Sequence, residues 1–310
     1  MRDGFQNNVK IKGYVFNHSL VKKVSGPNSK TPGVTFIMGD LNIATDEDAM
    51  NIVPVHFTYV TESYKNGNAN STYALLAQII DDNNTYELNG KSAMKVRIDG
   101  EIETNDFVTR DNEMASPKRI RGSFAHPETG DIAKVGSAEF EVDMLIEKYA
   151  EVEVEDGDNY GRLSGFTFNF RNDFVPVDFV IRSEPGMDYF DKADISVNEP
   201  MLIFLQGEII STTIENRQET ESVFGPPTVK ISTRNLRSWD VISAHEPYEF
   251  GEDGAMCAAD VTKGKAARAA YLDSVRQRHK EYQDSKNNTF TTTTVPTTSA
   301  SPTASSDYKF

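Results

Sequence analysis

The chain has 310 residues, with 32 lysines and arginines against 47 aspartates and glutamates and a formal net charge of −15. That charge excludes a uniformly basic coat for nucleic acid. Hydrophobic residues make up 38% of the chain and aromatic residues 10%, which excludes a wholly disordered chain. The single cysteine, Cys257, excludes an intramolecular disulfide and a zinc site built from cysteines, and it is typical of a reducing compartment.

The excess of acidic residues is confined to the middle of the chain. Residues 1–125 carry 14 basic and 15 acidic residues, residues 126–250 carry 10 and 25, and residues 251–310 carry 8 and 7. No apolar run approaches the roughly 20 residues that cross a bilayer, and the polar residues 1–8 lack the apolar centre of a signal peptide. We therefore expect a cytoplasmic protein with no membrane partner.

Residues 9–126 predict five strands and one helix. Apolar and polar side chains alternate over residues 9–16, as in a strand with one buried face. A helix is predicted at residues 71–80, with Asn70 or Ser71 as its N-cap. Four further strands are predicted over residues 34–43, 52–60, 94–104 and 119–125. Three strands, a helix and two strands is the order of the OB fold, a small Greek-key barrel.

The same order of elements then recurs. A short helix at 187–193 follows the third of five predicted strands, which cover residues 140–154, 162–171, 174–182, 201–214 and 229–242. Residues 53–57 (VPVHF) match residues 175–179 (VPVDF) at four of five positions, in the third strand of each copy. The tripeptide Gly-Glu-Ile occurs at residues 100–102 and 207–209, in the fourth strand of each copy. Two matches in the same order predict a tandem duplication.

Residues 251–310 differ in composition from the barrels. Residues 263–286 are rich in Ala, Arg, Lys and Gln and predict one exposed helix. Residues 287–306 consist mainly of Thr, Ser, Pro and Ala, which predicts disorder. The predicted fold class is mainly β: two tandem OB-like Greek-key barrels followed by a C-terminal helix and a disordered tail. The predicted boundaries are 1–126 for the first barrel, 135–250 for the second, 251–286 for the helical extension and 287–310 for the tail.

Sequence motifs of catalysis and metal binding are absent. The five histidines are scattered, with no HxH or HExxH pair, and no phosphate-binding GxxxxGK[ST] loop or GxSxG nucleophile motif occurs. Alternate carboxylates near residues 151–156 are consistent with a cation site or an acid–base pair, but a solvated acidic strand edge is the interpretation we favour. We therefore expect no cofactor, no metal site and no enzyme activity.

The first barrel contains the residue types that bind a single nucleic-acid strand. Such a strand stacks its bases on aromatic side chains while cations contact its phosphates, and an OB barrel presents these groups mainly on its second and third strands and the flanking loops. The candidates here are Lys10, Lys12, Tyr14, Lys22, Lys23, Phe36, His56, Tyr59, Arg97, Lys118, Arg119, Arg121 and Phe124. Each also has a structural alternative: a core position for Phe36 and Phe124, and ordinary surface charge for the lysines and arginines.

The second barrel is a weaker candidate. Arg234, Arg237 and Trp239, the single tryptophan, are its best residues for a nucleic-acid contact. Phe166, Phe168 and Phe170 share one strand parity and are predicted to face the core. Because the surplus acid of this region repels phosphates, we expect the second barrel to bind nucleic acid more weakly or to bind a protein.

Two segments and the tail carry a resemblance to a known family. Residues 9–15 (VKIKGYV) and 33–36 (GVTF) look like the first and second strands of the single-stranded DNA-binding proteins of bacteria and phages, in forms with two OB domains, and the low-complexity tail ending at Phe310 is also similar. In that family the acidic, aromatic tip of the tail recruits replication and repair proteins. Here Asp307 is the only acid near the tip and Lys309 precedes Phe310, which departs from the pattern.

The resemblance implies a non-catalytic protein that coats and protects single-stranded DNA in phage replication or recombination. It implies single-stranded DNA, or RNA, as the ligand, replication proteins as partners of the tail, and the host cytoplasm as the location if the chain is viral; a homo-oligomer is left open. We expect weak sequence preference and strong salt dependence. Two other classes stay open, a virion or tail structural protein built of β domains and a carbohydrate-binding module.

Overall fold

A computed structural model describes residues 1, 4–154, 158–220 and 228–291. Within residues 213–236 and 287–291 that description covers the backbone and not the side chains. The predicted tail lies outside the described residues from position 292 onward.

The first barrel has the strand order of an OB fold. Eight strands occupy this part of the chain: β1 (Asn7–His18), β2 (Val21–Val24), β3 (Thr35–Ala44), β4 (Ile52–Thr61), β5 (Lys95–Thr104), β6 (Phe107–Val108), β7 (Met114–Ala115) and β8 (Lys118–Pro127). Five of them close in the order β1–β3–β4–β8–β5–β1, in which β4 and β8 run parallel and the other neighbours antiparallel. β2 extends β3 as a hairpin, and β6 and β7 form a small separate hairpin.

The second barrel repeats this order. Its strands are β9 (Ser137–Val152), β10 (Tyr160–Phe168), β11 (Phe174–Ile181), β12 (Met201–Thr220) and β13 (Thr228–Ala244). They close in the order β9–β10–β11–β13–β12–β9, again with a parallel contact between the third and fifth strands, β11 and β13. The mainly β fold class with two OB-like Greek-key barrels is therefore confirmed.

Short helices fill the connections and a long one follows the barrels. Their bounds are α1 (Ser71–Asp82), α2 (Tyr86–Asn89), α3 (Ile132–Val135), α4 (Glu184–Asp191) and α5 (Ala258–Thr291). Asn70 caps α1, because its side-chain oxygen accepts the Thr72 N–H at 3.1 Å. α4 begins three residues before the predicted position, with Pro185 in its first turn. α5 extends beyond the prediction at both ends and continues five residues into the predicted tail. No helix in the described part of the chain is long and apolar enough to cross a membrane.

The repeated sequence motif places equivalent residues in the two barrels. Phe57 and Phe179, the last residues of VPVHF and VPVDF, are both fully buried. The glycines of the repeated Gly-Glu-Ile, Gly100 and Gly207, both sit at a β-bulge where the fourth strand pairs with the fifth. A Cβ there would lie 2.5 Å from the Arg121 carbonyl oxygen in the first barrel and 2.3 Å from the Asp240 carbonyl oxygen in the second, so both positions require glycine.

The two barrels are joined through their first strands. β1 and β9 pair antiparallel, with Lys10 opposite Glu139, so that one sheet of 11 strands runs through both barrels. Asn51, which precedes β4, adds a second connection: its side chain donates to the Ile209 carbonyl at 3.1 Å and accepts the Ser211 N–H at 2.6 Å. Because both groups that the Asn51 side chain contacts belong to the backbone of β12, the two bonds fix the orientation of the β12–β13 hairpin against the first barrel.

Candidate nucleic-acid interface

Two aromatic rings lie side by side on the outside of the first barrel. The ring centroids of Phe36 on β3 and Tyr59 on β4 are 4.4 Å apart, and Tyr59 is 44% exposed. The Tyr59 hydroxyl is within hydrogen-bond distance of Ser25 Oγ at 3.0 Å and Thr31 Oγ1 at 2.9 Å, both in the loop after β2. These hydrogen bonds lower the pKa of Tyr59 below its ordinary value.

A β-bulge in β4 turns Tyr59 outward, onto the side where Phe36 lies by ordinary alternation with the buried Ile37. Between Ile37 and Gly39 of β3 the register advances two residues, but on β4 it advances three, so Phe57 points into the core and Tyr59 does not. Gly39 has a φ of 130°, and a Cβ there would lie 2.4 Å from the Ser19 carbonyl oxygen. A side chain at position 39 would therefore disrupt the bulge and the aromatic pair with it.

The cations beside this pair differ in their availability. Lys23 is exposed, lies opposite Phe36 across the β2–β3 hairpin and has no ion-pair partner among the described residues. Lys22 instead contacts Asp81 of α1 at 2.7 Å. His56 lies farther along β4, with its Nδ1 2.7 Å from Asp40. We call the surface formed by Lys23, Phe36, His56 and Tyr59 the β3–β4 face.

A second group of predicted residues lies on the outer side of β1, β5 and β8. Lys10 and Lys12 are on β1, and Arg97 lies opposite Lys12 on β5. Phe124 on β8 is 49% exposed. Asp99 partly neutralises this group, because Arg97 lies 3.6 Å from its carboxylate. The surface combines cations with one exposed ring, and no second ring of the described residues lies within stacking distance of it.

Tyr14 is in the interior rather than on the binding surface. It shares the outward parity of Lys10 and Lys12, but it is only 4% exposed because α2 and α3 cover that end of β1. Its ring lies 5.5 Å from that of Tyr86, and burial raises the pKa of Tyr14. A base therefore has no access to this ring.

Arg119 and Arg121 are paired with acids and are not free to bind phosphates. They alternate along β8 directly opposite Glu103 and Glu101 of β5. Arg119 lies 2.7 Å from Glu103, and Arg121 contacts Glu101 closely. The two glutamates were missed in the sequence, although their alternation along a predicted strand is visible there.

Lys118 and Trp239 form a contact between the barrels. The Lys118 amine lies 4.6 Å from the Trp239 ring centroid and 4.8 Å from that of Phe179, and it donates to the Asp178 carbonyl at 2.5 Å. Burial lowers the pKa of Lys118 to about 8. Trp239 also packs against Phe140 at 5.6 Å, so its ring belongs to the end of the second barrel. Both side chains are half-buried in this contact between the barrels.

Arg237 is the remaining described candidate of the second barrel. It is exposed and lines a cleft of about 230 Å³ between the barrels together with His56 and Trp239, which we call the junction cleft. Arg234 lies on β13, but its side chain is outside the described residues. Among the described residues no group of three or more His, Cys, Asp or Glu side chains is placed to hold a metal ion.

Comparison with known proteins gives one family and several remote structural likenesses, among them two structures of one protein. The crystal structure of the single-stranded DNA-binding protein from Thermus aquaticus matches with a TM-score of 0.47 and 12% identity, covering 80% of this chain and 95% of that chain. A deletion mutant of the same protein matches with a TM-score of 0.47 and 11% identity, covering 80% and 98%. No curated protein matches the chain. The YorF family model matches residues 6–278, and the chain therefore belongs to the YorF family.

Proposed function

We propose that this protein binds single-stranded DNA without catalysis, and that the β3–β4 face of the first barrel is its principal binding surface. The observation that carries the proposal is the Phe36–Tyr59 pair, two adjacent rings on the second and third strands of an OB barrel, with the unpaired Lys23 beside them. Base stacking on aromatic faces tolerates any sequence because every base has a π-face. The protein therefore binds with weak sequence preference.

The number of unpaired cations sets the salt dependence. Among the predicted cations, Lys22, Lys118, Arg119 and Arg121 already have partners within the chain. Lys10, Lys12, Lys23 and Arg237 have no ion-pair partners in the described part of the chain; of these, Lys23 lies on the β3–β4 face and Arg237 at the junction cleft, whereas Lys10 and Lys12 lie on the outer side of β1. A single strand that contacts roughly two to three such cations gives a slope of log K against log salt of about −1.4 to −2.1. That dependence is weaker than the sequence alone predicts.

We further propose a role in coating and protecting single-stranded DNA during replication or recombination of a phage. The support is the sequence resemblance of residues 9–15 and 33–36 together with the two OB barrels. A strand held extended on the barrels is unable to form hairpins and is less accessible to nucleases.

The test is a fluorescence titration of the full chain with an oligo-dT of about 30 nucleotides, roughly twice the upper site size of one OB fold. Loss of one stacked base costs about 1–3 kcal/mol, so Tyr59→Ala and Phe36→Ala each weaken binding by roughly tenfold or more. Tyr59→Phe is the matched control, since it keeps the ring and removes only the hydrogen bonds to Ser25 and Thr31. It binds nearly as well as the unchanged chain.

The same titration at two salt concentrations separates the proposal from a carbohydrate-binding module. Sugars also stack on aromatic pairs, but their binding does not depend on counterion release. Absence of binding to oligo-dT at low salt would overturn the proposal. If Tyr59→Ala and the unchanged chain bind oligo-dT with equal affinity, the binding surface is not the β3–β4 face.

A further inference from the structure

A larger cleft lies where α5 crosses both barrels. It has a volume of about 610 Å³, inside the roughly 300–1,000 Å³ range of ligand pockets. Its walls are α5, strand β5 with the neighbouring Arg121, and the turn between β10 and β11. We call it the helix cleft. Arg121 is the one predicted site residue among those that line it.

The helical wall of the helix cleft is firmly attached. Arg268 of α5 makes two hydrogen bonds to Asp106, at 2.8 and 2.5 Å, and Lys265 lies 2.5 Å from Glu147 of the second barrel. Burial on its own would raise the pKa of Asp106, but the hydrogen bonds from Arg268, Ser116 and Thr104, together with the charge of Arg268, outweigh it and lower the pKa. α5 is therefore tied to both barrels through charged pairs, and the cleft is a preformed feature.

The opposite wall displays an aromatic residue on a rigid turn. The Asn169 side-chain oxygen accepts the N–H groups of Arg171 and Asp173, both at 2.9 Å, and Asn172 takes a φ of 60°. The sequence parity predicted that Phe170 faces the core, and that prediction is wrong. β10 ends at Phe168, and the turn leaves Phe170 73% exposed. The turn therefore presents the Phe170 ring to solvent at the wall of the helix cleft.

The charges around the helix cleft leave two cations without acidic partners. Lys263 and Arg171 line it and have no ion-pair partner among the described residues. Four of the five acids that line it form ion pairs: Glu101 and Glu103 with Arg121, Asp106 with Arg268, and Asp260 with the Met1 amino group. The fifth, Asp173, accepts a hydrogen bond from the Asn169 side-chain amide. The five acids and five cations of the lining, counting the Met1 amino group, leave no net charge, but an anion meets two cations, Lys263 and Arg171, that no carboxylate of the described residues contacts.

Two aromatic rings stand beside cations in the helix cleft. The Arg171 guanidinium lies 4.9 Å from the Phe170 ring centroid, and the Arg268 guanidinium lies 5.6 Å from that of Tyr271. Tyr271 is 48% exposed. This arrangement suits a ligand with a flat ring and a nearby negative charge. A nucleotide has both: its base can stack on Phe170 or Tyr271, and its phosphate can contact Lys263 or Arg171.

We propose that the helix cleft receives the continuation of the single strand bound on the β3–β4 face. This inference rests on the proposed function. His56 on the β3–β4 face is the register partner of Arg121 across the β4–β8 pair, and Arg121 lines the helix cleft. Neighbouring strands are about 4.8 Å apart, so the two surfaces adjoin on the outside of the barrel. The strand thus runs from Tyr59 past His56 to Phe170.

The experiment compares two lengths of oligo-dT on the full chain. An oligonucleotide of about 8 nucleotides lies within the ~4–16 that one OB fold covers, whereas one of about 30 nucleotides reaches both surfaces. Phe170→Ala weakens binding of the longer oligonucleotide roughly tenfold and leaves the shorter one unchanged, while Tyr59→Ala weakens both. Phe170 is largely exposed, so its removal does not disturb the core.

Matched controls exist on the same helix. Tyr271→Ala weakens binding of the longer oligonucleotide, whereas Tyr282→Ala, which removes an exposed ring with a lysine beside it farther along α5, does not. Lys263→Gln reduces the salt slope by about 0.7, and Lys280→Gln leaves it unchanged. If Tyr59→Ala weakens both lengths and the helix-cleft variants weaken neither, this inference is wrong and the proposed function stands. If the unchanged chain binds neither length, both are wrong.

Discussion

The two barrels share one strand order and present opposite chemistry on the same strands. On the second and third strands of the first barrel, the outer side carries the rings of Phe36 and Tyr59. On the equivalent strands of the second barrel, the outward-facing Arg162 and Asp178 form an ion pair at 3.3 Å. One surface is open to a base, whereas the other is occupied by its own side chains.

The repeated motif explains how the barrels diverge without losing the fold. In VPVHF and VPVDF the valines and phenylalanines that point inward are the same, while His56 and Asp178 point outward and differ. Inward residues determine packing, and period-2 alternation leaves the outward residues free to change. The acidic excess of residues 126–250 thus lies on a barrel whose interior resembles that of its neighbour.

The largest change in stability is expected from two core variants, which also test whether the barrels unfold as one unit. Phe57→Ala and Phe179→Ala each remove a fully buried ring at an equivalent position, and each lowers the free energy of unfolding by about 3–5 kcal/mol. Because β1 and β9 pair directly, we expect a single urea transition that both variants shift to lower concentration. Two transitions, each moved by only one variant, would mean that the barrels are independent.

The contact of Lys118 with the second barrel makes stability depend on pH. Its pKa is lowered to about 8 from 10.5, so between these values the unfolded chain holds a proton that the folded chain has released. The free energy of unfolding therefore rises with pH over this window, by up to about 3 kcal/mol. The two aromatic rings beside the amine favour its charged form and so reduce this rise. Below about pH 8 both states are protonated and this contribution no longer varies.

The measurement is urea unfolding at several pH values, in the unchanged chain and in Lys118→Met. The variant keeps most of the volume of the side chain and has no amine to titrate, so the difference between the two pH profiles isolates this group from other lysines and tyrosines. Identical profiles would show that the Lys118 amine is in contact with water and that the barrels are not closed against each other there.

The sequence predicted the strand order well, because that order depends on inward residues whose alternation is local. It also gave Asn70 as one of two caps for α1, which the hydrogen bond to Thr72 confirms. Local alternation does not predict which cations are free to contact a phosphate and which are paired with an acid. Parity places Arg119 on an outer face, but its partner Glu103 is identified only by the register between β5 and β8.

Two aromatic residues show why parity is insufficient near the ends of strands. Tyr14 keeps the outward parity of its strand, yet α2 and α3, which lie far from it in the sequence, cover it. Strand parity predicts that Phe170 shares the face of Phe168, but the strand ends before it and the chain turns at Asn169. Long-range packing therefore determines the burial of Tyr14, whereas local turn chemistry determines the exposure of Phe170. The turn at Phe170 is indicated in the sequence by Asn169 and Asn172.

The smallest expected effect distinguishes the cations of the two barrels. Lys23 on the first barrel has no ion-pair partner among the described residues, whereas Arg162 on the second is paired with Asp178. Lys23→Gln therefore reduces the slope of log K against log salt for oligo-dT by about 0.7, the value for one phosphate contact on a single strand. Arg162→Gln leaves the slope unchanged, because its charge is already neutralised by a carboxylate. The slopes come from titrations of both variants over the same series of salt concentrations. A lower slope in Arg162→Gln together with an unaltered slope in Lys23→Gln would place the strand on the second barrel and reverse the comparison.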